Sequence, residues 1–79
     1  MYKKDLKQIT DKDLIVFLVA SGLEVKDIEK DGNRSLVYFD DNKKLKDKIL
    51  NYANRSISVN ISDYLAAEKR VMTLLYTQK

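Results

Sequence analysis

The side chains that carry most enzyme chemistry are missing from this chain. It has no histidine and no cysteine. That removes the imidazole-assisted nucleophiles, the thiolate nucleophiles, the usual zinc ligands and any disulfide. Ser21, Ser35, Ser56, Ser58 and Ser62 therefore have no imidazole base to activate them. Gly22 and Gly32 stand alone, so no glycine-rich loop is available to cradle a phosphate. The densest oxygen-rich run is Asp40-Asp41-Asn42. A calcium loop spreads its ligands over about twelve residues and ends on a glutamate, so this run reads as a strand exit and a helix cap. The other carboxylates are scattered and form no acid/base pair of the glycosidase kind. The expectation is a protein without catalysis, metal or cofactor, and with no small-molecule substrate.

What remains is surface. Lys43, Lys44, Lys46 and Lys48 crowd one segment, with Arg55 beyond it. Such a cluster can track a phosphate backbone. Asp41 and Asp47 lie among these lysines and dilute their field, and the chain has only three arginines, Arg34, Arg55 and Arg70, for reading base edges. A nucleic-acid contact would be backbone-dominated and salt-sensitive. A second surface is a hairpin with an aromatic strand. Arg34 follows its turn, Tyr38 is placed on its outer face, and Leu74 and Tyr76 near the C-terminus add apolar contact area. An exposed sheet edge of this kind invites a second copy or a partner protein. The interleaved acids favour the protein-binding reading over the nucleic-acid one.

The elements that must position these residues are punctuated clearly. Met1 to Ile9 reads as a basic leader arm that Tyr2, Leu6 and Ile9 tack onto a domain covering residues 10–79. A helix opens at Thr10, with Asp13 three residues on in the manner of a capping box. It carries the run Leu14-Ile15-Val16-Phe17-Leu18-Val19-Ala20 and stops at Gly22, placed for a left-handed C-cap. Apolar all round, it belongs at the centre of the fold. Leu23 to Lys30 is a strand with Val25 and Ile28 inward; their spacing of three implies a bulge or a late start. Lys30-Asp31-Gly32-Asn33 is a hairpin turn, and Ser35 to Phe39 the returning strand.

Asn42 caps a second helix whose stripe is Leu45, Ile49, Tyr52 and Ala53. Arg55 to Val59 is a loop or a short strand. Asn60 or Ser62 opens a third helix, with Tyr64, Leu65, Val71, Met72 and Leu75 facing the core. The order is α-β-β-α-(β)-α, a small single-domain α+β fold with an antiparallel hairpin and three helices.

Seventy-nine residues, 44% hydrophobic and 34% charged, are enough for one modest core. A chain this short buries roughly 60–65% of its unfolded surface, which implies a stability of about 5 kcal/mol. The net charge of +3 is mild support for an anionic partner. The longest apolar run, Leu14 to Ala20, is too short to span a bilayer and lacks the context of a signal peptide. A cytoplasmic, non-membrane protein is expected.

Several short patterns line up with a known family. They are Asp13-Leu14 entering an apolar helix that ends Ala20-Ser21-Gly22, and Ile28-Glu29-Lys30-Asp31-Gly32 leading into Val37-Tyr38-Phe39-Asp40. Tyr52, Val59-Asn60 and the run Leu65, Val71, Leu74-Leu75-Tyr76 follow. Over residues 2 to 76 the chain resembles an uncharacterised family of short proteins, a domain of unknown function, from Gram-positive bacteria and their phages. The resemblance implies a setting, that of a phage or mobile-element accessory protein, and not an activity; the expected partner, another protein or a second copy of the chain, follows from the surfaces that remain. The resemblance supplies no catalytic or binding residues to carry over.

Overall fold

The computed structural model describes residues 5–54 and 59–77. The elements run β1 (Leu6–Ile9), α1 (Lys12–Ala20), β2 (Asp27–Asp31), β3 (Arg34–Asp40), α2 (Lys43–Asn54) and α3 (Ile61–Thr77). The architecture is α+β: an antiparallel sheet in the order β1-β3-β2, with three helices.

The first difference from the sequence reading concerns the leader. Leu6–Ile9 forms β1 and pairs with β3 from Leu6 opposite Asp40 to Ile9 opposite Val37. The sheet therefore has three strands, and β3 is central. This explains why Val37, Tyr38 and Phe39 are all buried. Both ladder edges of that strand are occupied, by β1 and by β2. The signal was weak because β1 does not alternate cleanly: of its two apolar residues, Ile9 turns to the core and Leu6 to the other face, and Lys7 shares the core-side face with Phe39 at the rim.

The hairpin forms as read. Asp31 pairs with Arg34 around a two-residue loop, Gly32-Asn33, and Gly32 takes φ +64°, the conformation such tight hairpin loops require. The preceding strand starts late, at Asp27. Leu23 to Lys26 approach it as an irregular segment held by the Lys26 N–H donating to the Tyr38 carbonyl at 2.8 Å. Ile28 packs inward opposite Val37, and Val25 reaches the same core from the approach segment.

The cap of α1 lies one residue later than the sequence suggests. Asp11, not Thr10, is the N-cap, and its Oδ1 accepts from the Asp13 and Leu14 N–H groups. Asp at this position also complements the helix dipole. The other end is a Schellman motif. The Leu23 N–H donates to the Leu18 carbonyl at 3.1 Å and the Gly22 N–H to the Val19 carbonyl at 3.0 Å, with Gly22 at φ +96°. Ile15, Val16, Phe17 and Leu18 are all buried. A helix buried on successive residues must be covered on several sides, and α1 contacts both α2 and α3.

Asn42 caps α2 through Oδ1 to the Leu45 N–H at 3.0 Å. Leu45 is buried, Ile49 and Tyr52 pack against the core, and Phe17 meets the Tyr52 ring at 5.4 Å. Ala53, placed on the same stripe by spacing, is exposed. Asn60 caps α3, accepting from Ser62 and Asp63 N–H groups. The suggested strand at Ile57 to Val59 falls on residues of which Ile57 and Ser58 lie outside the described set. Val59 packs against the core without belonging to a strand.

Tyr64 supplies a pH prediction. Burial raises its phenol pKa above the ordinary 10.0, and the nearby Asp13 and Glu68 carboxylates add to the effect. A raised folded-state value favours the neutral ring in the native state. The associated stability is full below about pH 10 and is lost as pH rises through the folded-state pKa. Urea unfolding across that alkaline range should show a steeper loss for the wild type than for Tyr64→Phe. Identical pH profiles would contradict the assignment.

Candidate functional site

The residues singled out by sequence do not converge. Arg34 sits at the hairpin end and is held by Asp31, its cross-strand partner, at 3.6 Å. Tyr38 is only 8% exposed. Strand alternation puts it on the sheet face opposite Val37 and Phe39, and its hydroxyl donates to Glu29 Oε1 at 2.9 Å with Gln8 Oε1 3.1 Å away. One phenol thereby ties together β1, β3 and β2. Leu74 and Tyr76 belong to α3. Two residues apart, they are separated by about 160° around the helix axis, so they do not form one patch.

The open sheet edge is also a poor docking strand. Four of the five β2 residues, Asp27, Glu29, Lys30 and Asp31, are charged, a composition that discourages pairing with another chain.

The lysines of α2 spread widely. At about 100° per residue, Lys43, Lys44, Lys46 and Lys48 cover roughly 200° of arc. Asp47 lies inside that arc and holds Lys43 at 2.9 Å; this hydrogen bond raises the Lys43 pKa. Lys46 borders a groove of about 230 Å³ with Lys7, Asp41 and Leu50. Lys44 lies at a different cleft. Arg55 lies outside the described residues.

That second cleft, of about 360 Å³, runs between the end of α1 and the start of α2 and is lined in part by Gly22, Phe39, Asn42 and Lys44. Lys26 stands in it with Glu24 at 3.1 Å and Asp40 at 3.7 Å. The hydrogen bond it donates to Glu24, then the charge of Asp40, raise its pKa. Two acids face two lysines here, so the cleft carries no net field to draw an ion of either sign. The Asp40-Asp41-Asn42 run is likewise divided: Asp40 faces Lys26, the Asp41 N–H donates to the Asp5 carbonyl, and Asn42 caps α2. Among the described residues no three Asp or Glu side chains gather as a cation site would require.

The largest unexplained feature is on α3. Its core face is Ala67 and Val71, flanked by Tyr64 and Leu75. Leu65 was placed on that face by spacing, yet it is 55% exposed. It belongs to a second apolar stripe with Ile61, Met72 and Tyr76, of which Ile61 and Tyr76 are 74% and 77% exposed. Positions i, i+4, i+11 and i+15 fall within about 60° of one another. The stripe borders an open surface depression formed with Glu68 and Lys69. The sequence contained the signal: α3 has more apolar residues than one core-facing stripe can hold.

The molecule is thus a small α+β domain with a three-stranded antiparallel sheet, a charge-balanced cleft beside α1 and α2 and, among the described residues, an apolar face of α3 turned outward. The family model described as Domain of unknown function (DUF5659) matches residues 4–77, and the chain belongs to that family. No curated protein and no solved structure matches it. No helix among the described residues is long and apolar enough to cross a membrane.

Proposed function

We propose that this chain is a non-catalytic module that binds another protein through the outer face of α3. The observation that carries the reading is the stripe of Ile61, Leu65, Met72 and Tyr76, three of whose members are more than half exposed. Apolar residues concentrated on one helix face are the usual anchors of helix-mediated recognition. The residues proposed earlier from sequence are reduced to Tyr76, joined by three that spacing had placed elsewhere or passed over. The proposed setting is the one the family resemblance implies: a phage or mobile-element accessory protein of a Gram-positive bacterium, acting in the cytoplasm on a host factor or on itself.

The alternative, a phosphate-tracking helix, has weaker support because Asp47 interrupts the α2 lysines and their arc is wide. Parallel affinity capture from host lysate separates the two. A partner held by the wild type should be lost with Leu65→Glu plus Met72→Glu and kept with Lys44→Glu plus Lys46→Glu. The reverse pattern, with salt-sensitive binding to a generic duplex, would overturn the proposal in favour of the lysines.

A further inference from the structure

Apart from the outer face of α3, we propose that the free edge of β1 takes up an extended segment of a partner protein. The segment lies antiparallel to β1, seats an aliphatic side chain between β1 and α2, and carries a glutamate or aspartate two residues away. Strand addition draws affinity from main-chain hydrogen bonds and selectivity from pockets for alternate side chains. β1 offers both. It is an edge strand in the order β1-β3-β2, and among the described residues nothing pairs with its outer side. Only one of its four residues is charged, against four of five in β2. The phase of the ladder decides which of its groups are free. The tight hairpin makes Asp31 and Arg34 a hydrogen-bonded pair. Alternation along β3 then turns the main-chain groups of Val37 and Phe39 toward β1, and the Asp41 N–H donating to the Asp5 carbonyl keeps that phase. Ile9 and Lys7, opposite Val37 and Phe39, therefore direct their N–H and C=O groups at β3. Leu6 and Gln8 point theirs outward.

An incoming strand pairs with Leu6 and Gln8, and its residue opposite Lys7 projects on the same side of the sheet as Lys7. On that side the groove of about 230 Å³ separates β1 from α2, floored by Leu45, Ile49 and the exposed Leu50. Small-molecule pockets usually run from about 300 Å³ upward, so the groove suits a side chain better than a free ligand. The rim selects the partner. Lys7 and Lys46 stand there against Asp41 alone, and neither lysine enters an ion pair among the described residues. The net positive rim favours an acid on the incoming strand. It also disfavours a second copy of this chain. The antiparallel register that sets Leu6 opposite Gln8 of the copy puts Lys7 directly opposite Lys7, a repulsive cross-strand pair.

Titration of the full chain with a capped synthetic peptide, followed by amide NMR, tests this. The probe alternates threonine with leucine and glutamate, so that the leucine and the glutamate, two apart, share one face. Saturable shifts should appear at Leu6, Gln8, Ile49 and Leu50. A probe with lysine in place of glutamate should bind about five- to tenfold more weakly, and Lys7→Glu should erase that preference. Leu50→Asp should weaken both probes. Methylating the threonine amide nitrogens, which face β1, should abolish binding; methylating those of the leucine and glutamate should leave it unchanged. The proposal is overturned by a β1 silent to millimolar probe, by shifts confined to the α3 stripe, by equal tolerance of the two methylation patterns, or by a charge preference indifferent to Lys7→Glu.

Discussion

Leu18→Ala is expected to destabilise the protein by about 3–5 kcal/mol, nearly the whole stability available to a domain of this size, about 5 kcal/mol. Leu18 is 0% exposed and sits in the last turn of α1, the helix that touches both α2 and α3. Its removal loses the transfer energy of the side chain and leaves a cavity. The surrounding walls come from different elements, so they cannot collapse together to fill it. The Leu18 carbonyl also accepts the Leu23 N–H that closes the Schellman motif, which couples the side-chain loss to the helix end. Urea unfolding followed by circular dichroism measures the effect. Leu50→Ala is the control: Leu50 is exposed, and its truncation should change stability by no more than about 0.5 kcal/mol. A loss at Leu18 as small as that control would contradict the placement of α1 at the centre.

Deletion of residues 1–9 is the second large effect, and it should abolish cooperative unfolding. The deletion removes the burial of Ile9, about 1.5–3 kcal/mol for a side chain of that kind. It also removes the β1–β3 ladder, whose hydrogen bonds are each worth about 0.5–1.5 kcal/mol net. The Tyr38 hydroxyl loses its Gln8 neighbour, and the freed edge of β3 presents Val37, Tyr38 and Phe39 to solvent and to other chains. Loss of the sharp urea transition, with aggregation on concentrating, is the expected outcome. A truncated chain that unfolds cooperatively with wild-type midpoint would mean that Leu6–Ile9 is a dispensable arm after all.

Much of the fold is legible in the residues themselves because local chemistry marks its boundaries. Gly22 and Gly32 adopt the positive φ that their positions call for. Asn42 and Asn60 cap the helices they precede. The run Leu14 to Ala20 is apolar all round and is indeed packed on several sides. What escapes is what depends on pairing at a distance. β1 is four residues long, half polar and without alternation, and it becomes a strand only because β3 offers it an edge thirty residues away. The α1 cap moves from Thr10 to Asp11 because either side chain suits the position, and only the backbone path decides between them.

The candidate surface was less legible than the fold, for a related reason. Helical spacing gives the angle of each side chain about its axis, but not which neighbours are close enough to cover it. On α3, Tyr64 and Leu65 are adjacent and equally apolar. One packs against the core, near Asp13 at the start of α1, and the other stands in solvent. Arg34 and Tyr38 were drawn into the same candidate interface by proximity in sequence. The hairpin register gives each a local partner instead, Asp31 and Glu29. The α2 lysines looked dense in one dimension and prove dispersed around a cylinder.

The most direct test of the account is where the surface responds when the protein finds a partner in solution. Amide NMR spectra recorded with and without a protein captured from host lysate locate that response residue by residue. Progressive shifts are expected at Ile61, Leu65, Met72 and Tyr76, with α2 and the β2–β3 hairpin unchanged. Shifts confined to Lys43, Lys44, Lys46 and Lys48, or to the hairpin around Arg34, with α3 silent, would contradict it.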